Sequence, residues 1–200
     1  MSPAFAFVFI TVAIDMVALG VVMPVFPELV AQLQGGSTAG AATYYGIFSA
    51  VFAAMQFLFA PVLGALSDRF GRRTVLILSN LGLGIDYLLM AVAPSLGWLF
   101  LGRVVAGITS SSYSAAAAYI ADVTPPDHRA ARFGALGVAF GLGFILGPSL
   151  SGVVAAYGLR APFVLSATLS LLNALYGWFV LPESLPAERR APFRWQNAHP

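Results

Sequence analysis

Gly64-Ala65-Leu66-Ser67-Asp68-Arg69-Phe70-Gly71-Arg72-Arg73 lies between two long apolar runs, and its reading decides the fold. Four charges fall in its last six residues, a density that hydrocarbon does not accept. The stretch therefore reads as a tight turn at a membrane face. Gly71 lets the backbone reverse with φ > 0, and Gly64 is expected to let two helices approach closely just before the turn. Asp68 sits where one helix ends, and Arg69, Arg72 and Arg73 lead into the next.

Composition points the same way. Of the 200 residues, 59% are hydrophobic and 9% charged, where a soluble domain carries about 25% charged residues. The absence of cysteine excludes disulfides and thiolate metal sites. The first apolar run has no basic segment ahead of it and contains Asp15, which favours a retained spanning helix over a cleaved signal peptide.

A spanning helix needs about 20 mostly apolar residues. Six runs qualify, roughly 4–30, 43–66, 74–93, 96–121, 133–157 and 161–181. They make an all-α integral membrane domain over 1–182, with 183–200 as the start of a cytoplasmic linker. The breaks are local: a Gly/Ser/Thr loop between Gln32 and Thr43, Pro94-Ser95, Thr124-Pro125-Pro126-Asp127, Tyr157 to Pro162, and Leu181-Pro182-Glu183. Alternate loops hold Arg69, Arg72 and Arg73, then Arg129 and Arg132, then Arg189, Arg190 and Arg194, whereas the opposite loops hold only Arg160. That bias places the arginine-bearing loops and both termini in the cytoplasm of a multi-pass protein.

A weak repeat runs through the chain at an offset of 87 residues. It sets Pro61 on Pro148, Gly71 on Gly158, Arg73 on Arg160 and Asp86 on Asn173, and the two copies cross the bilayer in opposite senses. An inverted three-plus-three repeat is the architecture of many secondary transporters.

Three ionisable residues fall inside the spans: Asp15, Asp86 and Arg103. Each costs about 2.5–3.5 kcal/mol near the bilayer centre. At about 1.5 Å per residue, all three converge on one layer near the midplane. Two readings stand. One is a polar cavity in which a carboxylate trades a proton for a cationic substrate beside a fixed cation. The other is a structural ion pair tying the fourth helix to the first, with Asp86 tucked at a helix interface.

The turn motif Gly-x-Leu-Ser-Asp-Arg-x-Gly-Arg-Arg resembles the loop between helices two and three of the major facilitator superfamily of transporters. Leu99 to Gly107, around Arg103, is similar to that superfamily's fourth-helix signature, where the arginine is tied to proton transfer. The fifth helix carries Gly134, Gly143, Gly147-Pro148 and Gly152, and resembles the antiporter signature, with Ser151 in place of one glycine. Ordinary packing of small residues would also account for those glycines. The resemblance implies a cytoplasmic charge relay of Asp68, Arg72 and Asp122, and export over import. Gly20 to Pro27, Ile85 to Leu89, Phe140 to Gly143 and Leu181 to Ser184 are similar to bacterial tetracycline efflux proteins. Serines 110–112 and Tyr113 depart from the small apolar residues of that family.

The resemblance covers only the amino-terminal half of such a transporter. It implies a bacterial cytoplasmic membrane, protons and a small-molecule drug as partners, and a missing carboxy-terminal half or a second copy. No resident cofactor or metal is implied; the drug would arrive as a complex with a divalent metal. A six-helix protein that transports nothing, a truncated product, and a sugar or metabolite permease are the alternatives. Catalysis has no support, since His128 and His199 fall in loops with no nucleophile constellation. Nucleic acid has none either, because the arginines are a topological signal without aromatic partners.

Overall fold

A computed structural model describes residues 3–36, 38–110 and 112–190. Ser111, Arg194, His199 and the expected linker from residue 191 onward lie outside the described residues. Eight helices follow in order: α1 (Pro3–Val22), α2 (Phe26–Leu33), α3 (Thr38–Phe70), α4 (Arg72–Val92), α5 (Leu96–Thr109), α6 (Ser112–Val123), α7 (Arg129–Ala155) and α8 (Ala161–Phe179).

The first apolar run is α1 and α2, separated by a short turn around Pro24. Pro27 then occupies the opening turn of α2, where its missing N–H has no intrahelical partner to lose. Among the described residues, five segments are long and apolar enough to cross a membrane. The fourth expected run, 96–121, is instead two helices that part at Ser110, whose ψ of 78° leaves the helical region. At the end of α5, Thr109 Oγ1 donates back to Val105 O at 2.9 Å. The carbonyl freed at Ser110 accepts from Gln56 Nε2 of α3 at 3.3 Å.

The helices pair as two exchanged triplets. α1 packs chiefly on α7, α3 on α5, and α4 on α8. Swapping the first three spans for the last three turns the first pairing into the second and leaves the third unchanged. The close approaches obey the same exchange. Gly20 lies against Gly143 and Gly147, while Gly107, 87 residues on, lies against Phe52, Met55 and Gln56. A Cβ on Gly107 would come 2.6 Å from Met55 Cβ, so the backbones meet only because both positions are glycine.

The ends of α4 and α8 are clamped in the same symmetric way. Gly71 and Gly158 both take positive φ, 101° and 124°. Just after them, Arg73 donates to the carbonyls of Gly177 and Trp178 at the end of α8, and Arg160 donates to those of Ala91 and Ala93 at the end of α4. Each arginine covers helix-terminal carbonyls that hydrocarbon would leave unpaired. Glu183 adds a third lock: its Oε1 accepts from Arg72 N at 2.9 Å and so caps the start of α4.

Buried apolar side chains form two clusters. One contains Phe5, Val12, Leu76, Tyr119 and Leu136; the other contains Ala18, Phe26, Tyr87, Met90 and Phe163. Along α1, α4 and α8 the residues between them are polar: Asp15, Asn80 and Asn173, all buried.

Candidate functional site

α1 brings Asp15 to the junction of the two clusters, and α5 brings Arg103 to the same cavity, which both line and which measures about 560 Å³. Most of the lining is apolar or aromatic, including Phe26, Phe52, Tyr87 and Phe140. Gln56, Ser49, Ser110, Ser112 and Tyr113 supply polar points around the two charges. The break between α5 and α6 falls at the site: Ser110 and Ser112, on either side of it, both line the cavity.

Asp15 and Arg103 share the cavity but not an ion pair. Arg103 Nη2 pairs with Asp86 Oδ2 on α4. The guanidinium also lies 5.1 Å from the Phe26 ring centre and 5.5 Å from that of Phe52, so two aromatic faces hold it. Asp86 is fully buried and does not line the cavity. Its carboxylate fits because residue 102 is glycine: a Cβ there would stand 2.5 Å from Asp86 Oδ1. The ion pair that the second reading set between the first and fourth helices is thus made between the third and fourth. The reason is reach, since α4 and α5 are consecutive and packed together, with Asp86 facing Gly102 across their contact.

Asp15 answers to a different partner. Asn173 Nδ2 on α8 donates to Asp15 Oδ1 at 2.8 Å. The same nitrogen donates to Thr11 O at 2.8 Å and approaches Asn80 Oδ1 at 3.3 Å. Sequence reading set Asp86 on Asn173 through the repeat but gave Asn173 no role. The structure supplies the meaning. Asp86 on α4 faces Arg103 and Gly102 on α5, and Asn173 on α8 faces Asp15 on α1, so the two contacts join corresponding helices, with Asp15 falling at the offset on Gly102, one residue before Arg103. Phe26, Phe52 and Gln56 also escaped the sequence reading, because an aromatic or amide in an apolar run carries no signal of the face it occupies.

At the other end of the bundle, Arg72 pairs with Asp68 and reaches Asp122 Oδ2 at 3.2 Å, so the three residues expected to form a relay are in contact. Ser184 Oγ also donates to Asp122, at 3.2 Å, and Glu183 fills the space beside Gly71. Arg69 and Arg73 do not join them: Arg69 lies over the Phe70 ring and Arg73 is committed to α8.

The glycines divide. Gly143 and Gly147 make the α1–α7 contact, but a Cβ on Gly64, Gly134 or Gly152 would meet nothing within 4 Å. The close approach expected at Gly64 is therefore absent, and two glycines of the fifth-span pattern, Gly134 and Gly152, make none either. Each faces away from its neighbours. α7 runs unbroken through Pro148. Among the described residues there is no group of three or more His, Cys, Asp or Glu that would hold a metal ion.

A model of the Major Facilitator Superfamily matches residues 8–200. The chain is 47% identical over 195 residues to the tetracycline resistance protein, class C, of Escherichia coli, covering 92% of this chain and 49% of that protein. It is 43% identical over 175 residues to the class E protein of the same organism, covering 88% of this chain and 43% of that one. Among solved structures it is similar to the human organic anion transporter MFSD10 (TETRAN), with a TM-score of 0.82 and 28% identity, over 95% of this chain and 50% of that one. The chain spans about half the length of the curated relatives it matches. Matched by the family model over nearly all its length, and alike in fold to a solved transporter, the chain belongs to the major facilitator superfamily.

Proposed function

We propose that this chain is the amino-terminal half of a proton-coupled exporter of small-molecule drugs, tetracycline among them, in a bacterial cytoplasmic membrane. Residues 1–182 make the transmembrane unit, 183–200 begin the cytoplasmic linker, and a second half completes the pathway. The observation that carries this reading is one cavity lined by both Asp15 and Arg103, with the arginine's charge already answered by Asp86. An ionised Asp15 then leaves the cavity with an excess negative charge that either a proton or a cationic drug can neutralise. The two compete for one carboxylate, and that competition couples opposite flows as the cavity opens to one side and then the other. Resistance proteins at 47% and 43% identity support the substrate. Asp68, Arg72 and Asp122 hold the cytoplasmic ends together in the state that opens outward. The superfamily's chemistry is translocation, and no bond of the substrate is made or broken.

The test is transport. Cells expressing the intact gene should accumulate less tetracycline, and collapsing the proton gradient should abolish the difference. Asp15→Asn should abolish export while the protein still reaches the membrane; normal export by that variant would remove Asp15 from the mechanism.

A further inference from the structure

Asn173 is almost wholly buried, as is Asp15, and the orientation of its carboxamide is fixed by its neighbours. Thr11 O can only accept a hydrogen bond, so the atom 2.8 Å from it is the amide nitrogen. The second N–H is then directed to Asp15 Oδ1, also at 2.8 Å, with Asn80 Oδ1 as a longer third acceptor. Asp15 Oδ2 has no hydrogen-bond partner among the described residues, and the Ser112 side chain lies near the carboxylate.

We propose that Asn173 is a positioning residue for Asp15: it holds Oδ1 in both charge states, so that the coupling proton adds to and leaves from Oδ2. This rests on the reading of Asp15 as the coupling carboxylate. Protonation at Oδ2 forms one O–H bond, changes no other covalent bond, and leaves Oδ1 as a carbonyl that still accepts from Asn173. The contrast with the contact between the corresponding helices α4 and α5 supports the assignment. Asp86 is met by a guanidinium, a partner that carries a full charge of its own. Asp15 is met by a neutral amide, which can stay bonded to the acid as well as to the carboxylate. The other ionisable groups around the cavity are Tyr45 of α3, Tyr87 of α4, Arg103 of α5 and Tyr113 of α6, while α7 contributes Phe140.

The inference is tested by pH-difference infrared spectroscopy of the protein from its intact gene, reconstituted in liposomes. The carbonyl stretch of protonated Asp15 is the band lost in Asp15→Asn. In Asn173→Leu that band should move to higher frequency, and export should fall about tenfold, the scale of one hydrogen bond to a charged group. Asn173→Gln, which keeps a carboxamide, should recover part of both. The unmodified protein labelled with ¹⁵N-asparagine should show an asparagine amide band in the same spectrum, a readout that needs no variant to fold. An unmoved carbonyl band in Asn173→Leu, with or without a loss of export, or no asparagine response, overturns the inference. Normal export by Asp15→Asn overturns instead the reading beneath it.

Discussion

Asp86 and Arg103 form a pair in which either group would be stranded without the other. Taking away one partner of a buried ion pair costs about 3–5 kcal/mol, whereas replacing both by neutral groups can be nearly neutral. We therefore expect Asp86→Asn and Arg103→Gln each to lower the midpoint of thermal unfolding in detergent. The double variant should unfold no lower than the worse single one. Strict additivity of the two losses would mean that the pair is not coupled. Gly71 offers a second test at the level of one side chain. Its φ of 101° and ψ of 154° lie in a region that costs a residue with Cβ about 1–3 kcal/mol, and the Cβ would also push into the Glu183 carboxylate that caps α4. Gly71→Ala should therefore destabilise the protein by about 2 kcal/mol or more. Gly64→Ala, seven residues earlier in the same motif and facing open space, should change the midpoint little.

Among the helices, the glycine pattern of α7 separates packing from spacing. Gly143 and Gly147 are the surfaces on which α1 rests, while a Cβ on Gly134 or Gly152 would meet only open space. Gly147→Leu should force α1 and α7 apart and cost about 1–3 kcal/mol, the usual toll of overpacking. Gly152→Ala should be neutral or slightly stabilising, since alanine is the better helix former. Equal effects of the two would refute the assignment of the contact. The same helix shows what a sequence can and cannot disclose. Apolar runs, proline and glycine breaks and arginine asymmetry are local quantities, and from them the order of the spans was readable. Counting residues along each helix set Asp15 and Arg103 at similar positions, and both line one cavity. Which side chain meets which was not readable. Arg103 and Asp86 are 17 positions apart, Asp15 and Asn173 are 158 apart, and partner choice depends on helix rotation, which uniformly apolar runs leave unmarked. The break at Ser110 was unreadable for a related reason. Serine is tolerated inside helices, and it parts this one where Gln56 stands ready to take the freed carbonyl.

Across the molecule, the offset of 87 residues recurs in paired contacts: Gly20 with Gly107, Gly71 with Gly158, Arg73 with Arg160, Asp86 with Asn173. Contacts of this kind explain why Arg160 stands alone among the arginines on its side. It is there to cover the carbonyls of Ala91 and Ala93, as Arg73 covers those of Gly177 and Trp178. Its charge is thus spent on helix ends, and the expected orientation rests on the arginines of the alternate loops in the sequence. The absence of native cysteine makes that orientation directly measurable. Ser95 and Tyr157 are exposed in the loops before α5 and α8, and His128 and Glu188 are exposed at the opposite end of the bundle. Single replacements Ser95→Cys and Tyr157→Cys should react with a membrane-impermeant maleimide on intact cells. His128→Cys and Glu188→Cys should react only after the cells are permeabilised. The reverse pattern would place the Asp68–Arg72–Asp122 contact outside the cell, where it could not serve as a cytoplasmic gate, and the direction of export would have to be argued afresh.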